Sequence, residues 1–227
     1  MIKPVLKLYK NLGETPLACL ERFRAENPDY LGEKMTYAGR LDPMAEGLLI
    51  ALVGDECHKK DEYLGLDKEY IFEVLLGIQS DTYDILGIPY TYNSTICTKI
   101  KCEDFVGKRV QEYPPYSSRT FQMARDGVDF EPPTKEIEIF DIERLEEREI
   151  NGQDILAEVL KKIDLVQGDF RQEEIKKAWQ EIDLPEKFQI IKFKINCSSG
   201  TYVRSICNEL GGIAYLIKRT RVGEYKI

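Results

Sequence analysis

The stretch "TYAGRLDPMAEGLLIALVG" (residues 36–54) sets one carboxylate, Asp42, between Leu41 and Pro43, immediately before an apolar run. That run, "LLIALVG", is short and apolar throughout, the pattern of a buried strand. Pro43 biases Asp42 away from the α region. Asp42, Pro43 and Gly39 together favour a tight bend, so residues 40–44 read locally as a turn feeding a core strand. Turn propensity alone accounts for the acid, and a chemical role for it has to be argued from the rest of the chain.

Working outward, "PVLKLYKN" alternates like a strand, and "ETPLACLERFRAENP" reads as a helix. Thr15 is its expected N-cap, Pro16 suits the first helical position, and Leu17, Leu20 and Phe23 share a face. "KEYIFEVLLG" (residues 68–77) places Tyr70, Phe72, Val74 and Leu76 on one side of a half-buried strand. "SDTYDILG" is a loop, and "TKEIEIFDIE" and "FQIIKFKINCS" are two further strands. Between them Ile155, Leu156, Val159, Leu160 and Ile163, then Ile175, Ala178, Trp179 and Ile182, recur at helical spacing around a "QGDF" turn. This predicts an acidic helical hairpin over residues 146–186, with Trp179 as its packing anchor and no direct chemistry. "CSSGTYVRSICNELGG" turns at Gly200 and enters a helix that Gly211 and Gly212 stop. Arg204 lies in its first turns, where a buried guanidinium would need an acid partner.

The 227 residues, 43% hydrophobic and 32% charged, are enough for one large domain and too ordinary for disorder. No apolar run approaches a bilayer span, and the N-terminal segment lacks a signal-peptide pattern, so a soluble cytoplasmic protein with no membrane partner is expected. The six cysteines form no C-x-x-C pair and His58 is the single histidine, which disfavours a zinc site or a His-dependent triad. Cys97 and Cys102 are close enough in sequence to bridge in an oxidising compartment, but free thiols fit a cytoplasmic chain better. Asp81 and Asp84 fall short of the three or more oxygen ligands a cation site would show, and no metal is expected.

The net charge of −8 disfavours a polyanionic ligand only at first sight. Residues 187–227 carry eight Lys/Arg against two Glu, whereas residues 129–186 carry eight basic and eighteen acidic side chains. The local field matters more than the total, so the basic C-terminal region is compatible with nucleic-acid contact.

Four separated blocks resemble the TruB-type tRNA pseudouridine synthases: "GRLDPMAEGLLIALVG", "LDKEYIFEVLLGIQSDTYDILG", "FVGKRVQEYPPYSSRTF" and "GTYVRS". They stand in the family's order with similar spacing, and cover most of the chain outside the helical hairpin. The resemblance implies an α+β pseudouridine synthase fold: a mixed, largely antiparallel central sheet flanked by helices, with the active cleft across its middle. It also implies isomerisation of a uridine in RNA to pseudouridine without metal or organic cofactor, on the T-loop uridine (position 55) of tRNA, by a monomer.

In that chemistry uracil leaves C1′ of the ribose, rotates in its pocket and reattaches through C5, which calls for a carboxylate beside the sugar and a closed site. By the match Asp42 is that carboxylate, acting on the sugar carbon or on a ribose proton. A buried Asp42 needs a guanidinium to stay ionised; Arg204 matches the family's arginine, and Arg40 is the competing candidate or a phosphate contact. Tyr70 matches the residue lying against the uracil face, although its pattern alone reads as strand core. Tyr202 and Ile217 match base-pocket positions, and Asp84 matches an acid that hydrogen-bonds the flipped base. Lys218, Arg219 and Arg221 form a cluster able to bind phosphate, or a solvated basic tail.

The chain departs from the family pattern in three places. Tyr37 replaces a histidine that wedges into the RNA loop, and Arg119 stands where a lysine is usual. One domain is expected over residues 1–227, with no C-terminal PUA domain. Two rivals are a non-catalytic RNA-binding or tRNA-folding protein on the same fold and a carboxylate hydrolase pairing Asp42 with a second acid about 5–9.5 Å away.

Overall fold

The computed structural model describes residues 2–91, 101–115 and 131–227; Cys97 and Arg119 lie outside them. The expected strands form. "VLKLYK" is β1 (Val5–Lys10), the apolar run after Asp42 is β3 (Ala45–Val53), and β4 is Lys68–Leu76. Helix α1 (Pro16–Glu26) starts as its sequence dictates, the Thr15 hydroxyl accepting from the Ala18 N–H at 3.1 Å. Its buried side is Pro16, Cys19 and Leu20, while Leu17 turns to solvent, 54% exposed. Two residue steps rotate a helix by about 200°, which turns Leu17 away from Cys19.

The remaining strands are β2 (Met35–Ala38), β5 (Ile78–Ser80), β6 (Pro89–Thr91), β7 (Gly107–Glu112), β8 (Thr134–Asn151), β9 (Lys187–Cys197), β10 (Gly212–Val222) and β11 (Tyr225–Lys226). Among the described residues the main sheet has nine strands, ordered β1-β3-β10-β4-β9-β8-β7, with β2 beside β3 and β11 beside β10; β5 and β6 form a separate pair. The β3–β10 pairing is parallel and the other main-sheet ladders are antiparallel. The fold is thus the expected α+β arrangement with a mixed, largely antiparallel sheet.

Two elements differ from the sequence expectation. Residues 146–151 continue β8 instead of opening the hairpin, because they pair with β9 from Glu146↔Lys192 to Asn151↔Lys187. The hairpin proper is α3 (Gly152–Asp164) and α4 (Gln172–Glu181). The segment read as a basic tail is β10, which lies between β3 and β4.

Alternation along these strands feeds opposite faces. Tyr70, Phe72 and Val74 of β4 pack with Val203, Ile206 and Cys207 of α5 (Val203–Glu209). Leu75, Ile190 and Ile213 instead meet Ile155, Val159, Ile163, Ile175 and Trp179 of the hairpin. Helix α2 (Lys60–Gly65) follows β3, and among the described residues no helix is long and apolar enough to cross a membrane.

Candidate active site

The turn that ends in β3 holds Asp42 at the point where three central strands meet. The Ala45 N–H closes it on the Asp42 carbonyl at 2.9 Å, and Ala45 pairs with Ile217 of β10, which in turn pairs with Phe72 of β4. Lys10, fully buried, braces this turn from β1: its ammonium donates to the carbonyls of Ala45 (2.5 Å) and Asn11 (3.1 Å). Burial, opposed by the charges of Glu14 and Asp42, pulls its pKa down to about 8. Gly47, at φ 108°, lets β10 approach: a Cβ there would collide with the Arg219 backbone.

Arg204 enters from the first turn of α5 and is buried. Its Nε donates to Asp42 Oδ2 at 2.8 Å and lies 3.7 Å from Asp84 Oδ2; its Nη1 donates to the Thr82 carbonyl (2.6 Å) and the Pro115 carbonyl (3.2 Å). One fork therefore joins two acids and two loops. Burial acts against its charge, but the Asp42 and Asp84 carboxylates outweigh that, and the guanidinium pKa is raised. Asp42 is not buried as expected: its side chain is 36% exposed, against 3% for Arg204. The guanidinium is buried and the carboxylate bonded to it is partly open to solvent, where a substrate could reach it.

Asp84 sits beneath them, its Oδ1 accepting from the Thr82 hydroxyl (2.7 Å) and the Leu86 N–H (2.9 Å). Burial pushes its pKa up to about 6, Arg204 pulling the other way and Asp42 adding to the rise. Tyr70 and Ile217, both buried, pack in the same cluster as Leu41 and Ala45, and burial raises the Tyr70 pKa. The ring of Tyr202 meets that of Tyr113 edge-on at 4.8 Å.

Other sequence candidates lie elsewhere or serve other ends. Arg40 is exposed, and the partner of Asp42 is Arg204. Tyr37 packs with the α1-side cluster beneath Lys60, away from the cluster that contains Leu41. Arg219 is 1% exposed and donates to the carbonyls of Leu48 (2.8 Å) and Gly39 (3.1 Å), so it braces the Gly39 turn and is not a phosphate contact. Arg221 reaches Asn196 at 2.9 Å, and Lys218 stays partly exposed near Glu46. Strand alternation separates Lys218 from Arg219, and a bulge between Arg219 and Arg221 breaks the register. Asp81 turns outward to Arg171 at 2.9 Å instead of sharing a site with Asp84.

Sequence reasoning missed Lys10, Thr82 and Gln111. Gln111 is buried and bonds the Tyr202 backbone at both its N–H (2.8 Å) and carbonyl (3.1 Å), fixing the start of α5. A buried Lys at a strand end and a Gln inside a strand were the available signals.

The family model described as TruB family pseudouridylate synthase (N terminal domain) matches residues 29–164. A tRNA pseudouridine synthase B from Borreliella afzelii is 30% identical over 239 aligned positions, covering 98% of this chain and 70% of that protein. The chain belongs to the TruB family. A second relative of this TruB-family chain, the tRNA pseudouridine synthase B of Syntrophomonas wolfei, is 31% identical, covering 86% of this chain and 58% of its own length. Among solved structures, the TruB-family chain shares its fold with a chain of an H/ACA RNP bound to a substrate RNA containing 2′-deoxyuridine and with one of a Cbf5-Nop10-Gar1 complex. Each has a TM-score of 0.56 at 18% identity over 98% of this chain; the chain spans about half the length of either.

Proposed function

We propose that this chain is an RNA pseudouridine synthase that isomerises a uridine to pseudouridine, with the T-loop uridine (position 55) of tRNA as substrate and the cytoplasm as its setting. The observation that carries the reading is the Asp42–Arg204 contact at 2.8 Å, with the acid partly exposed to solvent and the guanidinium buried. A flipped-out nucleotide would place its sugar against Asp42, whose carboxylate attacks the sugar carbon or removes a ribose proton, while the Arg204 Nε–H donated to Asp42 Oδ2 orients it. Tyr70 and Ile217 form the wall against which the free uracil turns before it reattaches through C5. Asp84 shares Arg204 with Asp42 and lies within the same constellation.

The test is incubation with an unmodified tRNA transcript and mapping of pseudouridine by carbodiimide-dependent primer extension. Wild type should give a stop at the T-loop uridine. Asp42→Asn should fold and bind the transcript with turnover abolished. Substantial product from that variant would overturn the assignment of Asp42, and product at another position or only on another RNA would remove the substrate while keeping the reaction.

A further inference from the structure

The α3–α4 hairpin does more than cover one face of the sheet. Its Trp179, 0% exposed, donates from Nε1 to the Ile85 carbonyl at 3.2 Å. The next N–H along, that of Leu86, is the one that holds Asp84 Oδ1. At the other end of the same loop, Arg171 pairs with Asp81 Oδ2 at 2.9 Å while Asp81 Oδ1 accepts from the Ile88 N–H at 2.8 Å. Between these two grips lies Thr82, whose carbonyl receives Arg204.

The hairpin also reaches the opposite wall. In its connecting turn the Gln167 N–H donates to the Gly13 carbonyl at 2.9 Å, and the Gly13 N–H donates to the Pro43 carbonyl at 2.8 Å, one residue from Asp42. Gly13 has φ 85° and a Cβ there would collide with the Leu165 carbonyl, so this contact admits no larger residue without a shift. Met44 and Ile85 then share the hairpin's apolar cluster. Two of these grips thus land on the Asp84 loop, and the third reaches the Asp42 turn through Gly13.

We infer that the α3–α4 hairpin acts as a clasp that sets the spacing of Asp42, Arg204 and Asp84, with Trp179 as its principal positioning residue. This rests on the proposed pseudouridine synthase reading for its catalytic consequence, but not for its structural one. Orientation within a fraction of an ångström governs such chemistry, so loosening the clasp should lower turnover and leave RNA affinity alone.

The experiment compares wild type with Trp179→Phe, Arg171→Gln and Val159→Ala in the full chain. Val159 is a 0% exposed hairpin core residue, so its truncation destabilises the hairpin without removing a grip. On unmodified tRNA transcript, Trp179→Phe should lower kcat about tenfold and Arg171→Gln about threefold, each with KM within about twofold of wild type; those fold-changes span the range of a lost hydrogen bond. Val159→Ala should lower Tm but leave kcat within about twofold at a temperature where it is folded. Amide hydrogen exchange at Leu86 and Ala214, whose N–H bonds the Tyr83 carbonyl, should quicken in Trp179→Phe and not in Val159→Ala.

Wild-type kcat in folded Trp179→Phe, or equal losses in Trp179→Phe and Val159→Ala, would overturn the clasp. Should Trp179→Phe fail to fold, Arg171→Gln decides: wild-type kcat and exchange there overturn it. If wild type itself makes no pseudouridine in any RNA offered, the exchange result still stands for or against the clasp, and it is the proposed reaction that falls.

Discussion

Arg204 donates to the Asp42 carboxylate and two backbone carbonyls and lies within ion-pair distance of Asp84, all with one planar group. A lysine offers its donors from a single point and cannot span the same acceptors. Arg204→Lys should therefore lower the unfolding free energy by about 1–3 kcal/mol, the cost of leaving a buried acceptor unpaired, as read by urea denaturation. Asp84 gives a pH signature. Burial holds its carboxyl at about 6, above the ordinary 3.8, so the folded chain binds that proton more tightly than the unfolded one. The stability so gained is full below about pH 4 and is lost as pH rises through about 6. Asp84→Asn cannot ionise, so its unfolding free energy should gain on wild type between about pH 4 and 6 and run parallel above that. A constant difference across a series of denaturation curves from pH 4 to 7 would contradict the raised pKa.

At the level of elements, β10 decides most of what the sequence left ambiguous. Its side chains alternate, so neighbouring cations in "KRTR" have different fates: Lys218 is partly exposed and Arg219 is enclosed by the Gly39 turn and β3. Lys218→Ala should weaken RNA binding and reduce the log–log salt slope by about one, the signature of one lost phosphate contact. Arg219→Met should leave that slope alone and cost about 1–3 kcal/mol by orphaning the Leu48 and Gly39 carbonyls, measured by binding titrations at several salt concentrations and by denaturation. β1, α1, β3, β4 and β9 were legible because each carries a local signal: an alternation, a continuous apolar run in β3, or a cap, as Thr15 and Pro16 supply for α1. β10 was not, because a cluster of charge hides an alternation whose apolar members are Ile213, Tyr215 and Ile217.

Across the whole molecule, the lopsided charge of the sequence is largely folded into the sheet. Acidic β8 and β4 flank basic β9, and Lys187 pairs with Glu149, Lys192 with Glu73 and Glu146, and Lys194 with Glu69. The excess of cations near the C-terminal end therefore reads first as cross-strand pairing, with Lys218 partly exposed and Lys226 exposed at the surface. The hairpin looks peripheral in sequence, an acidic interlude between two strands, and becomes central once Trp179 and Arg171 reach the loop over residues 80–88.

By itself the sequence determined β1, α1, β3, β4 and β9 and the family blocks, whose match pointed to Arg204 beside Asp42, since each depends on neighbours a few residues apart or on a motif quoted whole. Tertiary structure alone decided that Asp42 faces outward over a buried Arg204, that Arg219 braces a turn, and that a distant tryptophan holds the Asp84 loop. Those outcomes depend on which side of a strand or helix meets which neighbour, and a chain reveals that only when its long-range pairs close.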